Sequence, residues 1–273
     1  MQGMESKIRH IQLPQIEAPL PRDAAGEILN DGPLGTRQNW AQYSEEEHDV
    51  WRTLFTRQRA NLEEIAYTPW LDAADTIGLT ADGIPLLSAI TERLYPLTRW
   101  QPVPISGFLD ATDYFSYLAK RQFPTVVSIR KREQLEFCVE PDVFHDAFGH
   151  LPMHSHSTFA DFLELFGKTA LSAETEEQMT EMQRLYWFTV EYGMISEGGK
   201  LKICGSGHMS GIKEARFSLT SAVEKRPFVL EDVCRQPFNP HILQTTLFVL
   251  ESFDQLFEAM EIKAREFGVP LNG

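Results

Sequence analysis

Apolar residues recur every three or four positions through most of this 273-residue chain, and strict alternation is confined to short runs. That period restricts the fold to amphipathic helices packed on a shared core. The clearest case is "SEEEHDVWRTLFTRQRANLEEIA", where Ser44 and Glu47 have capping-box spacing and Val50, Trp51, Leu54, Phe55, Leu62 and Ile65 form one stripe. Further helices are expected over "IPLLSAITERLY", "DATDYFSYLAKRQ", the segment bearing His145, "STFADFLELFG" and "AETEEQMTEMQRLYWFTVEYGMI". The closing "PHILQTTLFVLESFDQLFEAMEIKAREFG" also reads as helical by period. "TVVSIR" and "LEFCV" are β-rich runs flanking the charged turn "KREQ", which reads as a hairpin. The expected fold class is therefore mainly α with a small β component (α+β). A hydrophobic content of 42% with no break in mid-chain suits one core. Residues 1–36 carry repeated prolines and glycines without apolar period and read as an N-terminal arm or tail, ahead of a single domain over 37–273.

Charge narrows the partners. Acidic residues exceed basic ones by 39 to 25, and a net charge of −14 repels phosphate backbones and anionic lipid heads. Neither nucleic acid nor a membrane surface is expected as a partner. The start "MQGMESKIRH" lacks the apolar core of a signal peptide, so a cytoplasmic location is expected. Cys138, Cys204 and Cys234 are odd in number and contain no CxxC pair, which argues for reduced thiols over a disulfide frame or a thiolate zinc site.

The chemistry concentrates in "PDVFHDAFGH". On an ideal α-helix, side chains five residues apart point about 140° away from each other, so His145 and His150 share an ion only if the helix breaks between them. Gly149 stands where that break is needed, and a left-handed glycine would let His150 swing back toward His145. In "RLYWFTVEYG", Met182, Leu185, Tyr186 and Thr189 keep helical spacing while Glu191 falls among aromatics. A buried carboxylate requires a partner. With His145 and His150 it makes two imidazoles and one carboxylate, the facial ligand set of non-haem Fe(II) oxygenases, which zinc can also use. Hydrogen-bonded histidines at a helix end are the plain alternative.

Other motifs carry less. His154 and His156 in "MHSH" read as a solvated loop ahead of a helix. "CGSGHMSG" misses the glycine spacing of phosphate loops, and no GxSxG elbow supports a serine hydrolase.

"PDVFHDAFGHLP", "RLYWFTVEYG" and, more loosely, "CGSGHMS" resemble the metal and substrate motifs of the aromatic amino acid hydroxylases, the pterin-dependent iron monooxygenases. The resemblance runs in order from about Arg37 to about Glu261, and in size the chain is similar to bacterial members made of a single catalytic domain. It implies Fe(II) held by His145, His150 and Glu191, and a tetrahydropterin as cosubstrate. For the amino acid it implies Arg130 and Ser210 at the carboxylate, with Trp187 as an aromatic wall. For the pterin it implies Gly107, Leu109, Tyr114 and Asp146, and Gln183 stands where a small residue usually lies nearby. Pro141 and Asp142 belong to the same motif, Asp142 as a helix cap or an acceptor behind a ligand. The implied partners are a small aromatic amino acid, pterin and O2, and the implied state is a monomer. Val249 occupies a position where tyrosine hydroxylases are acidic, which favours phenylalanine and 4-hydroxylation to tyrosine. Tyr192, Cys204, His208 and Gly211 depart from the family pattern near the substrate ring, which keeps a phenylalanine 3-hydroxylase giving meta-tyrosine in view, beside tyrosine or tryptophan hydroxylation. A zinc hydrolase or a silent metal-binding scaffold is the alternative of a different class.

Overall fold

The computed structural model describes residues 32, 36–136 and 140–271. Apart from Gly32 and Thr36, the arm expected over 1–36 lies outside the described residues, as does Cys138. Among the described residues, ten α-helices and six short strands, with 3-10 and π-helical turns between them, build a mainly helical fold. The first helix, α1 (Glu45–Leu62), starts as its sequence dictates: Ser44 Oγ accepts from Glu47 N–H while the Glu47 carboxylate accepts from Ser44 N–H at 2.7 Å. Its buried face is Val50, Trp51, Leu54, Gln58 and Leu62, and Phe55 and Ile65 pack at the margin of the core.

Helices α2 (Thr68–Thr76) and α3 (Leu87–Thr98) follow, then strand β1 (Gln101–Ile105), helix α4 (Ala111–Leu118) and strand β2 (Gln122–Val126). Of the expected hairpin, the second run "LEFCV" lies largely outside the described residues, and the first joins a different partner. β2 pairs in parallel with β1, in register from Gln101–Gln122 to Ile105–Val126, and the chain leaves Val126 for a short 3-10 turn at Arg132–Gln134. A parallel neighbour requires a crossover, which α4 supplies. The charged turn therefore joins no strand pair among the described residues.

Helix α5 (Ser157–Leu171) begins where its sequence indicates and buries an aromatic face containing Phe159, Phe162 and Phe166. It packs so tightly on α4 that a Cβ at Gly167 would stand 2.4 Å from Ala119 N and 2.7 Å from Phe115 O. Alanine gains helix propensity at such a position, but contact with fixed backbone outweighs that gain. Gly167→Ala is expected to cost about 1–3 kcal/mol, read as a fall of several degrees in thermal midpoint.

Helix α6 (Glu176–Tyr186) leads to strands β3 (Met194–Glu197) and β4 (Lys200–Ile203), helices α7 (Ser206–Ser210) and α8 (Ile212–Ser218), strand β5 (Glu224–Pro227) and helix α9 (Leu230–Arg235). Strand β6 (Thr246–Leu250) and helix α10 (Phe253–Glu266) close the chain. The second sheet runs β4-β3-β6-β5, with β3 antiparallel to β4 and parallel to β6. Its central strand corrects the expectation of a single closing helix. "TLFVL" is a β-branched and aromatic run, and pairing on both edges favours it as a strand, while Ser252 caps the helix that follows by accepting from Gln255 N–H. No helix among the described residues is long and apolar enough to cross a membrane.

Candidate metal centre

Residues Phe144–His150 form a π-helix, with Leu151 N–H reaching the carbonyl of Asp146. In a π-helix each N–H bonds to the fifth preceding carbonyl, so five residues make about one turn. His145 and His150 thus come to one side without a helix break. Gly149 is not left-handed, contrary to expectation; it serves close approach, because a Cβ there would lie 2.8 Å from the Ser206 carbonyl oxygen. Glu191 is delivered by a second π-helix, Trp187–Glu191, which extends α6 and is closed by Tyr192 N–H to Trp187 O at 2.8 Å.

The three side chains converge. His145 Nε2 and His150 Nε2 are 3.1 Å apart, and Glu191 lies 3.6 Å from the first and 3.1 Å from the second. Each offers one ligand atom, and all three atoms lie within 4.8 Å of one another. Hydrogen bonds behind them fix their form. Ser210 Oγ donates to the Ser206 carbonyl at 2.9 Å, so its contact with His145 Nδ1 at 2.8 Å is one in which the imidazole N–H donates. That tautomer leaves the His145 Nε2 lone pair facing His150 and Glu191. Ser206 Oγ donates to Glu191 Oε2 at 2.8 Å, and Phe123 packs on the His150 ring at 4.7 Å between centroids.

Electrostatics favour the same state. Burial raises the Glu191 carboxyl, but the two imidazoles, His150 foremost, and the Ser206 hydroxyl outweigh it and hold it at about 2. Burial pushes His145 down to about 4 against the pull of Glu191. A neutral imidazole and a carboxylate, buried with lone pairs converging, are the form in which these groups bind a divalent cation. The donor set fits iron or zinc. Ser210→Ala removes the group that fixes the His145 tautomer, and metal affinity is expected to fall about 10–100-fold, measured by competition with a chromogenic chelator.

His145 and Glu191 border a cavity of about 610 Å³, with Arg130, Trp187, Tyr192 and Ser210 also in its wall. Arg130 is gripped from behind: Nε and Nη2 donate to the two oxygens of Asp142, each at 2.8 Å, and Asp142 also accepts from the His145 backbone N–H at 3.0 Å. Asp142 is thus both cap and acceptor. Trp187 stacks on Phe238 at 4.5 Å and meets Tyr192 at 4.7 Å. The remaining expected residues stand away from this wall. Cys204 is buried behind Gly193, and burial raises its thiol. Val249 lies on β6 opposite Met194, while Leu247 from the same strand reaches the cavity. Gly107 and Leu109 sit in the loop between β1 and α4, on either side of Phe108, which is 88% exposed and borders the cavity mouth. Tyr114, on α4, shares a 2.5 Å hydroxyl contact with Tyr186. Asp146 turns from the cavity to accept from Val126 N–H at 2.7 Å, and burial raises its carboxyl well above the usual range.

The family model described as biopterin-dependent aromatic amino acid hydroxylase matches residues 22–272. The chain belongs to that family. It is 39% identical over 224 residues to a phenylalanine-4-hydroxylase of Mesorhizobium japonicum, covering 80% of each chain. It is 36% identical over 252 residues to that of Caulobacter vibrioides, covering 89% of this chain and 85% of the relative. A crystal structure of the Chromobacterium violaceum phenylalanine hydroxylase with bound iron(III) and oxidised 7,8-dihydrobiopterin is similar at a TM-score of 0.81 and 32% identity, covering 91% of this chain and 89% of that one.

This hydroxylase also uses residues that its motifs did not advertise. His154, read from sequence as part of a solvated loop, is fully buried against Trp100 and Phe123, and its Nδ1–H donates to the His150 carbonyl at 2.9 Å. It buttresses the second ligand from below. Ser206 stands four residues before Ser210, on the same face of α7, and that spacing was its one available signal.

Proposed function

We propose that this chain hydroxylates the ring of a free aromatic amino acid with O2 and a tetrahydropterin, converting L-phenylalanine to L-tyrosine with Fe(II) held by His145, His150 and Glu191. The observation that carries the reading is the convergence of those three ligands beside a cavity lined by two of them, His145 and Glu191, and by Arg130 and Trp187. When bound, iron and a reduced pterin supply the oxygen chemistry that no side chain can perform. The protein's part is placement. Asp142 holds the Arg130 guanidinium in one orientation, suited to the carboxylate of an amino acid, while Trp187 offers a flat apolar face to its ring. Ser210 keeps His145 in the tautomer whose lone pair faces the metal position. Tyr114, Gly107, Leu109 and Asp146 cluster around α4 and β2, and we assign the pterin to that side. Val249, apolar on β6, supports phenylalanine over tyrosine.

A second reading, 3-hydroxylation to meta-tyrosine, is favoured by Tyr192. Its ring lies between Trp187 and His208, and a Cβ at Gly207 would come 2.7 Å from it. An aromatic ring bearing a hydroxyl thus fills one side of the substrate position, which would displace a bound ring relative to the metal. We further propose that residues 37–273 act as one catalytic domain, as a monomer in the cytoplasm, which sedimentation and cell fractionation test.

The deciding experiment is chromatography of the products formed from L-phenylalanine by the Fe(II)-loaded protein with a tetrahydropterin in air. Para-tyrosine is the expected product. Meta-tyrosine alone would replace that reading with the second, and turnover supported by zinc without oxygen would overturn both.

A further inference from the structure

A free amino acid enters a site as a zwitterion, with both charges on one carbon. If Arg130 meets its carboxylate, the ammonium still needs an acceptor. The carboxylates nearest the metal are engaged: Asp142 gives both oxygens to Arg130, and Glu191 is a metal ligand that Ser206 holds. Of the other carboxylates in the cavity wall, Glu136 pairs with Arg57 at 3.2 Å on the exposed rim, and Glu140, also exposed, has interactions of its own. Glu214 remains.

Glu214 stands half-buried in the first turn of α8. A glutamate at this position ordinarily turns back to accept the N–H of the residue before the helix. Here the Gly211 N–H is taken by the Gly207 carbonyl at 3.0 Å, and the Glu214 carboxylate meets no hydrogen-bond donor or cation among the described residues. Its side chain still folds back over Gly211, so closely that a Cβ there would stand 2.4 Å from Glu214 Oε2. Two paths lead away from the metal ligand His145. Its backbone N–H reaches Asp142, which grips Arg130, and its Nδ1 reaches Ser210, the residue before Gly211. The guanidinium and the unpaired carboxylate are thus anchored to the same histidine and line the same cavity.

We propose that Glu214 accepts the α-ammonium of the bound amino acid while Arg130 takes its carboxylate. This rests on the reading of the cavity as the amino-acid site. It makes Glu214 a specificity-determining group with no part in the oxygen chemistry. The ligand class it selects is the free α-amino acid, because an acid without the ammonium brings only a negative charge toward the same carboxylate.

The test is calorimetric binding of L-phenylalanine and of hydrocinnamate, the same acid without its amino group, to the Fe(II)-loaded protein without oxygen, in wild type and in Glu214→Gln. Wild type is expected to bind L-phenylalanine about tenfold tighter than hydrocinnamate, the scale of one charge-assisted hydrogen bond. Glu214→Gln is expected to weaken L-phenylalanine about tenfold and to leave hydrocinnamate bound as well or better, so that the gap closes. A gap that survives in Glu214→Gln, equal binding of the two acids by wild type, or an equal loss for both in the variant would overturn the proposal and leave the hydroxylase reading intact. Failure of wild type to bind either acid would remove both. The wild-type comparison needs no variant, and Glu214→Asp, which keeps the charge, is expected to retain part of the gap if glutamine proves disruptive.

Discussion

Replacing Glu191 by alanine is expected to empty the metal site and abolish coupled hydroxylation. The variant loses the one anionic ligand, and the two remaining imidazoles, 3.1 Å apart, bind a dication without charge compensation. The loss should exceed the roughly 100-fold that removal of a supporting partner costs. Iron content measured after anaerobic loading should drop from about one per chain to background, and His145→Ala should behave alike. Wild-type iron content with wild-type turnover in either variant would refute the ligand assignment. Folding should survive both changes, because the ligands lie at a cavity wall and the aromatic core formed by Phe144, Phe148, Phe162 and Phe166 is untouched.

Asp142→Asn strikes stability as well as binding. The Arg130–Asp142 pair is almost wholly buried, with side-chain exposures of 7% and 5%. Removing one charge of such a buried pair takes away the carboxylate that neutralises Arg130 and costs about 3–5 kcal/mol. At about 2–4 °C per kcal/mol for a chain of this size, the melting temperature should fall by roughly 10 °C. The sign with pH follows from the carboxyl. Burial raises it, but the hydrogen bonds and charge of Arg130 outweigh burial and hold it below the ordinary aspartate range. A depressed carboxyl contributes stability that is complete above the unfolded value and lost as pH falls through the folded one. Urea midpoints of wild type and Asp142→Asn should therefore differ fully at pH 7 and converge only as pH falls below the ordinary carboxylate range. The KM for the amino acid should rise as Arg130 loses its fixed orientation, and an unchanged urea midpoint at pH 7 would remove the pair from the stability account.

The parts of this molecule that were legible in sequence are those in which residue type and spacing answer to one local cause. The Ser44–Glu47 cap, the α1 stripe and the start of α5 depend on contacts within a few residues, and each stands where the pattern indicates. The triad was legible because a carboxylate among aromatics and a histidine pair at an odd spacing are both costly without a shared purpose. The means of bringing the histidines together was not, since a π-helix has no residue signature and a glycine suggests a break just as well. Strand β6 was hidden because "TLFVL" satisfies either period, and pairing with β3 and β5 decides between them. The β1–β2 pairing is parallel and joins residues about twenty apart, so no turn motif announces it. His154, Gln58 and Tyr186 owe their places at the site to neighbours from other elements, and a single sequence does not record such neighbours.

Both ligand-bearing π-helices have a bearing on how this active site tolerates changes in chain length. A π-turn is an α-helix with one residue too many, so deleting a residue between His145 and His150 would let the segment relax to ordinary helical winding. The two imidazoles would then stand four apart and still share a face. Everything after them would be rotated by about 100° and drawn back by about 1.5 Å, carrying His154 and the start of α5 out of their seats. The same holds for Trp187–Glu191 and the sheet that follows. Substitutions can accumulate around this centre one at a time, whereas insertions and deletions within either turn act on the whole downstream half, so lineages that keep the activity should keep both intervals at fixed length.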